Sequence, residues 1–135
     1  MIPLSRALIR AAMVWLVAAL VLRVGAPRLE APLAAAIEPV ALHALVFGWL
    51  SQLAIGVAWW MFPRPKGAPA TIDEPLGWSC FCLLNGGLLL RVWAEPASSL
   101  APGPAAALGS AVAGVSMLAA VLLFAFSAWR RLGPR

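Results

Sequence analysis

Apolar residues fall along this chain in four long runs, at about 4–24, 39–62, 75–93 and 104–129, with most charged positions in the gaps between them. Each run approaches or exceeds the roughly 20 residues a helix needs to cross about 30 Å of hydrocarbon. The pattern predicts an all-α membrane protein, a four-helix transmembrane bundle forming a single domain over residues 1–135. Prolines punctuate it. Pro27 and Pro32 follow the first run, Pro63 and Pro65 the second, and Pro96 and Pro102 the third. Pro39, Pro75 and Pro104 stand where a helix tolerates proline, in its opening turn. The stretches Pro63–Glu74 and Glu95–Pro104 read as a polar loop and a Pro/Ser-rich loop on opposite sides. The first run also has the outline of a secretion leader, with Arg6 and Arg10 ahead of Ala11–Leu22 and then Val24-Gly25-Ala26. Pro27, directly after that triplet, disfavours cleavage, so the run is read as a retained helix.

Composition narrows the class. Of 135 residues, 63% are hydrophobic and 11% charged, and the mean hydropathy is +0.92. A soluble domain of this size has too large a share of its atoms on the outside to hide so much apolar surface. Soluble enzyme, secreted disulfide scaffold and disordered tail are excluded. The net charge of +5 reports topology through the positive-inside bias rather than binding to nucleic acid. Placing the N-terminus in the cytoplasm puts Arg6, Arg10, Arg64, Lys66, Arg130, Arg131 and Arg135 inside, against Arg23, Arg28 and Arg91 outside. That asymmetry predicts both termini cytoplasmic. Trp59, Trp60, Trp78 and Trp129 are expected near the inner interface, Trp93 near the outer one, and Trp15 and Trp49 deeper.

Small residues suggest how the helices meet. Ala106, Ser110 and Gly114 recur every four residues in the fourth run, and Ala44, Gly48 and Gly56 share a stripe with Gln52 in the second. Such faces let backbones approach closely, within one bundle or against another chain. Cys80 and Cys82 lie on nearly opposite helix faces, so they neither pair nor share a metal.

The residues that could carry chemistry are few. His43 is the single histidine, and no Asp or Glu lies well inside a run, which excludes a protein-built metal cage and a serine–histidine–acid triad. His43 is expected a few residues into the second helix from the outer side. It is either an interfacial histidine bonded to Glu38, a headgroup or a backbone carbonyl, or a haem ligand. Arg91 and Glu95, four apart on one face, form either an interfacial ion pair or a place where Arg91 meets a ligand carboxylate at the depth of His43. Asn85 and Gln52 are expected to be interhelical hydrogen-bond partners, and Arg23 and Arg28 to mark the outer boundary.

The stretch from His43 through Gly48 and Gly56-Val-Ala-Trp-Trp-Met-Phe-Pro-Arg64 resembles the second helix of haem-copper oxidase subunit I, above all in cbb3-type oxidases and nitric oxide reductases. In particular it resembles small four-helix proteins described as cbb3-type cytochrome c oxidase subunit I-like. Arg91-Val-Trp-Ala-Glu95 matches the Arg and Glu of an element ending their third helix, with Ala94 in place of glycine. The resemblance covers helices two and three, about half the chain. It implies a multi-pass protein of the bacterial cytoplasmic membrane that binds haem b, with His43 as metal ligand and Arg91 beside the propionates. Ala44, Phe47 and Gly48 are the residues placed to open room next to His43. The family's second haem histidine, high-spin haem histidine and copper histidines have no counterpart, so oxygen or nitric oxide reduction by this chain alone is not expected. Met13 and Met117 fall near mid-membrane and Met61 at the inner end, none at the expected depth of His43. The haem is then expected to be five-coordinate, shared by His43 of two chains across a two-fold axis, or completed by a partner subunit. The expected role is electron transfer or haem-based sensing in a homo-oligomer or larger membrane complex. The alternative is a cofactor-free accessory subunit of a respiratory or photosynthetic complex.

Overall fold

The computed structural model describes residues 3–62 and 70–132, and all regular structure among them is helical. Helix α1 spans Pro3–Gly25 and ends in a 3-10 turn, Ala26–Arg28. The second long helix is continuous over Ala31–Met61 but changes character along its length: α2 (Ala31–His43), a π-helical segment (Ala44–Ser51) and α3 (Gln52–Met61). Helix α4 spans Ala70–Leu100 and α5 spans Pro104–Leu132. Among the described residues four helices are long and apolar enough to cross a membrane, as the hydrophobic runs predict.

The bounds differ from the proline punctuation in three places. The second helix opens at Ala31, not Pro39. Glu30 is its N-cap residue, with extended ψ, and its carbonyl accepts from the Ala34 amide at 2.9 Å. Pro32 takes the early position that suits a ring with no N–H. Pro39 thus lies inside α2, and Pro75 and Pro96 lie inside α4. The Glu95–Leu100 part of the expected outer loop is helical. On the other side α4 already begins at Ala70, within the stretch read as the polar loop, while 63–69 of that stretch lie outside the described residues. Membrane helices tolerate such prolines because neighbouring groups satisfy the freed carbonyls. Only Pro104 opens its helix as expected.

The second helix packs on α1 and α4, and α5 packs chiefly on α4. Leu4 and Leu8 of α1, Ile55 and Trp59 of α3, Cys80, Leu84 and Leu88 of α4, and Met117 and Ala120 of α5 share one core. The stripe Ala44, Gly48, Gln52 and Gly56 is buried, and its glycines are spent within the chain against α1. A Cβ on Gly48 would fall 2.6 Å from Cγ of Trp15, and one on Gly56 would fall 3.0 Å from Cβ of Leu8. On α5 the residues buried against α4 follow Ala106, Gly109 and Ala113 rather than the expected Ala106, Ser110 and Gly114. Ser110 instead meets Ser98, hydroxyl to hydroxyl at 3.4 Å.

Polar groups tie the helices at defined points. Trp15 Nε1 donates to Asn85 Oδ1 at 2.8 Å, linking α1 to α4, and Asn85 Nδ2 donates to the Phe81 carbonyl at 2.9 Å. Asn85 is the interhelical partner the sequence suggests. Gln52 is not, since it is fully buried and neither end of its amide has a hydrogen-bond partner among the described residues. Trp59 lies in the last turn of α3, at the end of the second helix where the sequence expects it, but faces the bundle. It is buried at 3% exposure, with the Arg131 guanidinium 4.8 Å over its ring and an Arg131 N–H 3.4 Å from its carbonyl. That carbonyl is among the last of α3, which the helix itself leaves unbonded. Trp60, Trp78, Trp93 and Trp129 are exposed, as belt residues are. Cys80 is buried, its thiol donating to the Ala120 carbonyl, and Cys82 is exposed.

Candidate functional site

The site forms because α2 with its π segment and α5 both flank α4 without closing fully on each other. His43 comes from the last turn of α2 and Phe47 from the π segment, while Arg91 comes from α4. Gly114, Met117, Leu118 and Val121 of α5 complete a cavity of about 310 Å³. Their spacing of three, four and seven residues is one face of an α-helix. Leu118 is 59% exposed and Val121 is exposed too, so the cavity wall there belongs to the outer, lipid-compatible surface. The volume is at the lower end of the roughly 300–1,000 Å³ of small-molecule sites.

His43 is held by its Nδ1 atom. That nitrogen lies 2.8 Å from the Pro39 carbonyl oxygen and 3.1 Å from Glu95 Oε1. Both neighbours are acceptors, so Nδ1 carries the proton, and in the neutral ring Nε2 keeps its lone pair. Nε2 makes no hydrogen bond with the described residues. Of the partners the sequence suggests, a backbone carbonyl is met by Pro39, whereas Glu38 pairs with Arg23 at 2.5 Å. The imidazole stacks on Phe47, with centroids 5.9 Å apart and planes 16° from parallel. A π-helical turn carries i→i+5 hydrogen bonds and recurs at functional sites; this one starts directly after His43. Ser51 Oγ reinforces it by donating to the Val46 carbonyl, five residues back, at 2.9 Å.

Glu95 joins the two sides. Its Oε1 contacts both Arg91 Nη1 and His43 Nδ1, with side-chain exposures of 11% for Glu95, 20% for Arg91 and 25% for His43. Arg91–Glu95 is thus the i,i+4 pair the spacing suggests, but it is mostly buried and extended by the histidine. Arg91 Nε and Glu95 Oε2 have no further partner among the described residues. The Arg91 guanidinium lies over Gly114, where a Cβ would sit 3.4 Å from Nη2.

Of the residues expected to bind a cofactor, the structure brings His43, Phe47 and Arg91 to one cavity and leaves Gly48 out. Gly48 faces α1, and the space beside it belongs to the Trp15 side chain. Ala44 is likewise buried and lines no part of the cavity. The residue missed is Met117. It is expected at a different level from His43 only if the second helix starts at Pro39. With the start at Ala31, His43 lies about 18 Å along its helix and Met117 about 20 Å along α5, at 1.5 Å per residue. The two helices run in the same direction on either flank of α4, and His43 and Met117 line the same cavity.

No group of three or more His, Cys, Asp or Glu residues able to hold a bare metal ion occurs among the described residues. A single imidazole with a free Nε2, apolar and aromatic walls and one arginine instead suit a cofactor that brings most of its own metal ligands. A haem would meet that description, with His43 as its nitrogen donor and Arg91 as a cation for its carboxylates. No family model, curated protein or solved structure matches the chain.

Proposed function

We propose that this protein is a membrane-embedded haem b protein, related to haem-copper oxidase subunit I and serving in electron transfer or haem-based sensing. The observation that carries the reading is the state of His43. A backbone carbonyl and a carboxylate both fix Nδ1, the usual outer-shell arrangement of a metal-binding histidine, while Nε2 is left for a ligand. Bound at His43, haem b supplies one-electron redox chemistry, and the protein sets its potential through axial ligation, hydrogen bonding and burial.

The chain's own residues have separate tasks in this reading. Glu95 accepts from His43 Nδ1–H, which orients the ring and makes Nε2 a stronger donor. Arg91 answers the charge of Glu95 and retains N–H donors for a propionate. Phe47 and the α5 face exclude water and hold the ring apolar. The basic residues orient the protein with both termini in the cytoplasm of a bacterial cell, so the His43 cavity belongs to the outer half. Function is expected within a homo-oligomer or a larger membrane complex.

The test is a visible spectrum of protein purified in mild detergent. A Soret band with reduced-minus-oxidised α and β peaks is expected, and His43→Ala removes them while the protein still folds by circular dichroism. A wild-type preparation that carries no iron and gains no Soret band on titration with haemin sinks the proposal.

A further inference from the structure

The cavity holds a second soft donor. Of its lining side chains, Arg91 has no lone pair to give, and Phe47, Leu118 and Val121 have no donor atom. The atoms able to bind a metal are therefore His43 Nε2 and the thioether sulfur of Met117. We infer that Met117 is the second axial ligand of the cofactor that His43 holds, an assignment that rests on the haem reading and makes one chain sufficient for both ligands.

Three observations support the assignment. Met117 is distinct from the other described methionines, since Met13 and Met61 are 43% and 66% exposed while Met117 is 4% exposed and reaches the cavity wall. Met117 comes from α5 and His43 from α2, so two separate helices bring the two donor residues to the lining of one cavity. The third observation is a seat on α4. Gly87 lacks a side chain where the thioether stem lies, and a Cβ there would come within 2.8 Å of Met117 Cγ. The unbranched side chain pivots from that seat with three soft torsions, which suits it to meet a ligand without moving the helix.

Histidine–methionine ligation has consequences that neither a five-coordinate haem nor a bis-histidine pair shared by two chains would show. It raises the reduction potential relative to bis-histidine ligation, and the ferric form carries a thioether-to-iron charge-transfer band in the far red. It also closes the sixth position, so the ferrous form takes up carbon monoxide slowly or not at all.

The experiment uses wild-type protein with Met117→Leu and Met117→His, in detergent, monitored by absorbance, by redox titration and by carbon monoxide binding. The expected result is a far-red ferric band in wild type, lost in both variants. Met117→Leu then binds carbon monoxide readily with the Soret band retained, and Met117→His shows a low-spin spectrum at a lower midpoint potential. Leucine conserves the volume of methionine, so the fold is retained. Rapid carbon monoxide binding by the wild type, or a far-red band absent from it, overturns the assignment even if a variant fails to fold. Those results leave haem binding at His43 standing, whereas a wild type with no Soret band removes both.

Discussion

Glu95 contacts two cation-capable groups at once, Arg91 on its own helix and His43 on the next. An anion this deeply placed is tolerable only while it is answered, and removing one member of a buried pair costs about 3–5 kcal/mol. Arg91→Ala is expected near the bottom of that range, about 3 kcal/mol, because Arg91 is one-fifth exposed. Glu95→Gln should cost less, since the amide keeps a hydrogen bond to Nδ1 and removes the charge that needed an answer. Thermal unfolding of the two variants in the same detergent checks the order, and equal losses would mean that the pair is hydrated. His43, Arg91 and Glu95 were legible in the sequence because each is a polar type in or beside an apolar run and two are four residues apart. Met117 was not legible. A methionine in an apolar helix looks like packing, and only the true start of the second helix brings it level with His43. Gln52 escaped for the opposite reason: its polarity suggested a partner, yet its fully buried amide has none among the described residues.

Elements meet here through missing side chains more than through bonds. In lipid, helix association depends on close packing, and one interhelical hydrogen bond such as Trp15–Asn85 adds only about 0.6 kcal/mol. Gly48→Ala sets a methyl group 2.6 Å from Trp15 Cγ, and the overpacking is expected to cost about 1–3 kcal/mol. Gly86→Ala meets nothing within 4 Å and should gain about 0.5–1 kcal/mol from a better helix former. Thermal melts of the two substitutions, one element apart, should move in opposite directions. The number of helices and their order were readable from hydropathy alone, as was the start of α5 at Pro104. The other starts were not. Proline marks the end of a helix reliably where water competes for the freed carbonyl, and Pro39, Pro75 and Pro96 lie in helices that run on past them. The π segment left no trace in the pattern, because every residue around it is compatible with an ordinary helix.

At the scale of the whole molecule, seven of the ten basic residues fall in the stretches read as inner, which sets the proposed orientation. Tags at the two termini should both be protected from protease in right-side-out vesicles and cleaved in inverted ones, and cleavage of either tag in right-side-out vesicles would reverse the assignment. One feature of the second helix bears on how this chain compares with others. A π turn encloses one residue more than an α turn, so the stretch Ala44–Ser51 amounts to a single residue inserted between two helices that otherwise keep step. A related chain without that residue would match on both flanks yet need a one-position gap inside 44–51. An ungapped alignment would pair His43 or the Gly48–Gly56 face correctly, but never both.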